Sequence, residues 1–199
     1  SPKKVHITML PLFELIINPD DHSGVTGVAL VDKPAIQINW QAFSEQKPYK
    51  FQTVSTEKQI IAGPLMLANM PIYRSDQRGE YNVYFSSQTI EQIVDKFHKN
   101  QYEHRVNPMH ESMMILPDIY MISDFIIDTE KGINTPLGFE KMPNGSWFGM
   151  FKVSNTEVWN DYIKTGLFKG FSVEGFFEDI PAELTEDEVK KLAKFLIHF

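Results

Sequence analysis

Residues Ser154–Phe177, SNTEVWNDYIKTGLFKGFSVEGFF, decide how the rest of the chain is read. Ser154 and Glu157 have the spacing of a capping box, in which each side chain satisfies an amide left unpaired at a helix start. Val158, Trp159, Tyr162 and Ile163 follow at helical spacing, and Gly166 supplies the left-handed residue that stops the helix. The chain then runs Leu167-Phe168-Lys169-Gly170-Phe171-Ser172-Val173-Glu174-Gly175, a strand with one serine among apolar neighbours. Glycines on both sides of that serine permit the close backbone approach that a substrate or an oxyanion site needs.

Outward from this segment, the pattern is mostly strand. Residues 5–17 and GVTGVALV (24–31) read as strands, the second ended by Asp32-Lys33-Pro34. Residues 35–57 are polar and irregular, with Trp40, Phe43 and Phe51 as packing anchors. KQIIAGPLMLA (58–68) reads as a strand interrupted at Gly63-Pro64. A loop rich in Arg, Asp and Gly spans Met70 to Glu80, and a strand follows over Tyr81–Phe85. Ser86 to Asn100 is a helix, because Ile90, Ile93, Val94 and Phe97 form one stripe at i, i+3, i+4 and i+7. DIYMISDFIID (118–128) and Ser146–Val153 are expected to pair as strands, with turns at Lys131-Gly132 and Asn144-Gly145. A last helix starts at Thr185, where Glu188 completes a second capping box. Strands outnumber helices, so the fold class is α+β, built around a β-barrel or a curled, mainly antiparallel sheet flanked by helices. At 199 residues a single domain is expected, with its core over about 24–178.

Composition narrows the function classes. No run approaches the roughly 18 apolar residues of a membrane span. The basic start followed by an apolar stretch invites a secretory-signal reading, but Pro11 and Glu14 interrupt it and no small-residue cleavage site follows. The absence of cysteine excludes disulfide frameworks, thiolate-bound zinc and thiol nucleophiles. A net charge of −7 argues against broad phosphate-directed binding of nucleic acid.

Serine is a weak nucleophile until a base takes its proton, so Ser172 carries chemistry only if a histidine comes within about 2.6–3.2 Å of it. Of the six histidines, His110 is singled out by its place at a loop-to-strand junction, Asn107-Pro108-Met109-His110-Glu111-Ser112. Spacing alone leaves the bland alternatives open: a small residue at a crowded strand position for Ser172, a surface ring for His110.

Resemblance adds to this. GVALVDKPAI (27–36), GPLM with IYR (63–66, 72–74), the helix IEQIVDKFHKN (90–100), MHES (109–112) and EVWNDYIKTGLFKGFSVEGFF (157–177) follow one order. Together, over about residues 24–178, they resemble the XkdF-type phage serine protease family, related to the prohead maturation proteases of tailed phages and more distantly to herpesvirus assemblins. The resemblance implies an assemblin-like barrel flanked by helices, with Ser172 as nucleophile and His110 as general base. It implies phage scaffold, capsid protein or the chain itself as substrate, a homo-oligomer acting inside an assembling prohead in the host cytoplasm, and no cofactor, metal, nucleic acid or membrane. Assemblins place the third catalytic group on a strand after the serine strand; here the chain turns at Pro181 toward a capped helix and no such strand is apparent. Asp124, on the strand after His110, is the substitute chosen, with Glu111 and Glu174 ranked behind it because each lies within two residues of a proposed catalytic group. Two rival readings stand beside the protease: a structural head protein that keeps the fold without catalysis, and a binding module unrelated to phage.

Overall fold

A computed structural model describes residues 10–33, 49–182 and 187. Among the described residues, eleven strands form three sheets. The first runs β11 (Glu178–Pro181), β1 (Leu12–Ile16), β6 (Gly79–Tyr84), β5 (Ile72–Asp76); the second β10 (Gly170–Phe176), β2 (Gly24–Val31), β7 (Val106–Pro108); the third β3 (Gln52–Ser55), β4 (Ile60–Met66), β9 (Trp147–Val153), β8 (Ile119–Ile126). Pairing is antiparallel except for β1 with β6 and β2 with β7. The expected α+β class holds. Of the two architectures expected, a barrel or a curled, mainly antiparallel sheet, the closed barrel is not found: among the described residues each sheet is open and most strand pairs are antiparallel.

The helix α1 (Ser87–Lys99) has the boundaries its sequence predicts. Ser86 caps it, its side chain accepting the Thr89 amide at 3.1 Å, and Asn100 closes it by donating to Lys96 O. Ile90, Ile93 and Phe97 are buried, with Val94 packed beside them. Their stripe joins Val28 and Leu30 of β2, Ile61 and Leu65 of β4, and Trp147 and Phe151 of β9 in one core. A smaller cluster, including Ala62, Ile127 and Phe148, covers the opposite face of β4 and β9, because alternate residues of a strand point to opposite sides.

The decisive segment folds close to its reading, with two corrections. The cap is Asn155, not Ser154: its Oδ1 accepts the Val158 amide at 3.1 Å, while the Ser154 amide is used in pairing to Asp118 O. After α2 (Thr156–Val158) the helix widens into a π turn over Trp159–Ile163, with the Lys164 amide donating to Trp159 O. The wider turn leaves Trp159 and Ile163 buried but turns Tyr162 outward, where it stacks on Phe168 at 4.9 Å between ring centroids. Gly166 ends the segment with φ +74°, as its position predicts.

Three other expectations are corrected. Part of the loop expected over 70–80 is β5, which forms a hairpin with β6. Part of the irregular stretch expected over 35–57 is β3. A strand does follow the serine strand: β11, antiparallel to β1. The C-terminal helix expected from Thr185 lies, but for Asp187, outside the described residues, as do Trp40 and Phe43.

Candidate active site

The second sheet positions the site. In its ladders Ser172 of β10 stands opposite Ala29 of β2, and Ala29 stands opposite Asn107 of β7. One step along, Glu174 stands opposite Gly27. Paired residues of a sheet share a face, so Ser172, Glu174, Gly27, Ala29 and Asn107 all lie on one side of it. The core residues Val28 and Val106, with the partly buried Val173 packed against the core, lie on the other.

Opposite Ser172 and Glu174 the middle strand thus presents two small residues, Ala29 and Gly27. A Cβ added at Gly27 would come 3.1 Å from Arg105 O and 3.7 Å from Glu174 Oε2. The lane left open lets Glu174 reach across β2. Its Oε2 accepts from Asn107 Nδ2 at 2.8 Å, and its Oε1 lies 2.8 Å from His110 Nδ1. The amide orientation of Asn107 is forced, since the reverse would set two oxygens against each other. Asn107 is 4% exposed and its Oδ1 is buried without a partner among the described residues. Leaving such an acceptor unpaired costs about 1–3 kcal/mol, which the surrounding structure must offset.

His110 is carried there by a tight reversal at the end of β7. Met109 and His110 are consecutive residues in the left-handed region, φ +52° and +64°, a conformation that costs a side-chain-bearing residue roughly 1–2 kcal/mol. Hydrogen bonds hold the reversal: Met109 donates its amide to Leu30 O, Glu111 donates to Pro108 O, and Met109 Sδ accepts the Asp32 amide. Strain retained in this way is characteristic of functional sites. The ring of His110 is partly exposed, whereas Glu174 is largely covered and Ser172 is 3% exposed.

Ser172 and His110 line the same cavity, of about 320 Å³, although β2 separates their strands. No hydrogen bond joins the two side chains in this arrangement; catalytic contacts of this kind often tighten only when substrate binds. Both Ser172 and Val173, on opposite faces of β10, line the cavity, which places it at the edge of that strand that no other strand pairs with among the described residues. The remaining wall is apolar, from Leu15, Leu65, Met66, Leu67, Met70 and Phe85 among others, with Arg74 of β5 at its exposed rim. Crowding by the protein still pulls the Arg74 guanidinium below its ordinary pKa.

Asp124 is not brought to His110. Its Oδ2 lies 2.6 Å from His98 Nε2 and accepts from Trp147 Nε1 at 2.8 Å, while Glu103 holds the other nitrogen of His98 at 2.8 Å. Burial works to lower the His98 pKa, but its bonds to Asp124 and Glu103 outweigh that and raise it above its ordinary value. The reason for the displacement is strand pairing: β8 joins β9 in the third sheet, and the face of β8 that carries Asp124 meets His98 of α1 and Trp147. The acid at His110 is instead Glu174. A strand places residues two apart on one face, and that alternation was the signal for pairing Glu174 with Ser172. Asn107 carried no signal of its own. Glu111 is exposed, its amide closing the turn after Pro108.

Among the described residues, no group of three or more His, Asp or Glu side chains is spaced to hold a metal ion, and no helix is long and apolar enough to cross a membrane. No curated protein and no solved structure matches the chain significantly. One family model does, over residues 51–181, a span that holds Arg74, Asn107, His110, Ser172 and Glu174 and leaves out β2. With more than half its length matched, the chain belongs to the family described as "Putative phage serine protease XkdF".

Proposed function

We propose that this chain is a serine endopeptidase of phage head assembly in which Ser172 is the nucleophile, His110 the general base and Glu174 the residue that orients the base and stabilises the imidazolium formed during reaction. The observation that carries the reading is that one strand, β10, offers Ser172 to the cavity and Glu174 to His110 Nδ1, and that His110 lines the same cavity as Ser172. Fixing Nδ1–H on a carboxylate leaves Nε2 free as the acceptor, which is the tautomer a base needs.

On this reading His110 Nε2 takes the Ser172 proton as Oγ attacks the peptide carbonyl. The tetrahedral intermediate collapses as His110 returns the proton to the leaving amine, giving an acyl-enzyme and a free amino terminus. Water, deprotonated by the same nitrogen, then attacks the ester carbonyl, and His110 returns that proton to Ser172 Oγ as the acid is released. Glu174 stabilises the imidazolium formed at each step. Scaffold and capsid proteins, and the chain itself, are the proposed substrates. The proposed setting is an assembling prohead in the host cytoplasm, with the protein as a homo-oligomer related to the assemblins.

Mass spectrometry of the purified chain, alone and with a scaffold protein from the same phage, tests the assignment. Time-dependent cleavage that Ser172→Ala and His110→Ala each abolish supports it. The rival, a head protein that keeps the fold without catalysis, draws on the missing Ser172–His110 hydrogen bond, and an inert parent protein under all these conditions would favour it.

A further inference from the structure

Arg74 is the cation of the cavity that holds Ser172 and His110, and no carboxylate among the described residues pairs with it. Its guanidinium donates to its neighbour's carbonyl, Tyr73 O, at 3.0 Å. Three acids of the hairpin and of β11 are engaged elsewhere: Glu80 accepts from the Tyr73 hydroxyl, and Asp76 and Asp179 both bind Arg78. In a chain of net charge −7, a cation left without an anion at the rim of an apolar cavity is a local reversal of the molecule's own field. Ser172 and Val173 of β10 line the cavity, and among the described residues β10 is an edge strand of its sheet, so an extended peptide there can add as a strand, main chain to main chain, while alternate side chains enter pockets. Its volume of about 320 Å³ falls at the lower end of the range for ligand sites, about 300–1,000 Å³.

We propose that this cavity selects peptides that combine an apolar side chain, seated among Leu65, Met70 and Phe85, with a carboxylate that pairs with Arg74 at the mouth. Apolar walls favour the first group by removing it from water. The planar guanidinium takes the second through two parallel N–H···O bonds, which a lysine ammonium cannot reproduce. The inference rests on the peptidase reading for its consequence, cleavage, but not for its binding step.

The test separates the two. A random-sequence decapeptide library is passed over immobilised Ser172→Ala protein, which cannot cleave, and is also digested by the parent protein, with Arg74→Gln, Arg74→Lys and Arg74→Glu forms compared in both assays. Retained and cleaved peptides are sequenced by mass spectrometry. The expected result is enrichment of an apolar residue together with Asp or Glu. The acidic preference should fall at least tenfold in Arg74→Gln, survive in part in Arg74→Lys, and turn toward Lys or Arg in Arg74→Glu, with the apolar preference unchanged throughout. Acidic enrichment on the column without cleavage by the parent upholds the pocket and removes the peptidase reading. Ser172-dependent cleavage with no acidic enrichment, or with an acidic preference that Arg74→Gln leaves intact, upholds the peptidase and overturns the pocket. Because Arg74 is exposed on an edge strand, its replacement leaves the fold in place, and equal unfolding midpoints of the four forms check this.

Discussion

Glu174 stands opposite Gly27 in the β10–β2 ladder, and its carboxylate passes beside the place a side chain at 27 would take. The reach of Glu174 to Asn107 and His110 therefore depends on a residue that touches no substrate. Gly27→Val is expected to push the carboxylate away and to lower peptide turnover at least tenfold. Overpacking of this size costs about 1–3 kcal/mol, so the unfolding midpoint should fall as well. Gly27→Ala separates the two effects, since its methyl group meets Arg105 O before it meets Glu174. Turnover unchanged in Gly27→Val would show that the lane is unimportant to the site.

The two acids once in competition for His110 make opposite predictions. Glu174→Gln keeps the shape but removes the charge that stabilises the imidazolium, and turnover should fall by roughly 10²–10⁴ with little change in stability. Asp124→Asn should leave turnover near that of the parent and weaken the fold by about 1–3 kcal/mol, because its bonds to His98 and Trp147 join α1 to the third sheet. Cleavage of a scaffold-derived peptide and urea unfolding of both variants decide the matter. A loss of turnover confined to Asp124→Asn would return Asp124 to the catalytic set.

What could be read from sequence divides along a physical line. Elements whose own burial patterns them, such as α1 with Ile90, Ile93 and Phe97, or β8 and β9 as partners, were legible within a residue or two. The edge strand β5 was not, because Arg74, Ser75 and Asp76 are exposed and their polarity reads as loop. The site followed the same rule. Ser172 and His110 stood out by local context, but the acid depends on which sheet each strand joins. No local feature of Asp124 discloses that His98 and Trp147 claim its oxygen, and none of Asn107 discloses that it meets Glu174. The separation of β10 from β7 by β2, whose Gly27 and Ala29 leave room for that meeting, belongs to the tertiary fold alone.

The helix before the serine strand offers a test of how the site is anchored. Trp159 is 3% exposed and belongs to the main core despite the π turn that carries it. Trp159→Ala should cost about 3–5 kcal/mol, the range for removing a large buried aromatic side chain. Tyr162→Ala, which removes an exposed ring stacked on Phe168, should cost markedly less. Equal losses in chemical denaturation would mean that the π turn does not distinguish an inner from an outer face.

The last prediction concerns pH and the cluster of His98, Glu103 and Asp124. The folded protein raises the His98 pKa above its ordinary value of about 6.5, so its contribution is fully present below that value and is lost as pH rises through the higher, folded one. For Glu103, burial raises the pKa, but the bond to His98 and its own backbone amide outweigh that and lower it overall. Its contribution is present above the ordinary value of 4.5 and is lost as pH falls through the lower, folded one. The cluster therefore stabilises most between about pH 4.5 and 6.5, and a protein lacking it should lose that local maximum. Thermal midpoints of the parent and His98→Gln measured from pH 3 to 9 should differ most inside this window and converge toward alkaline pH. A constant difference across the whole range would mean that His98 is held neutral and acts only as a hydrogen-bonding spacer between α1 and β8.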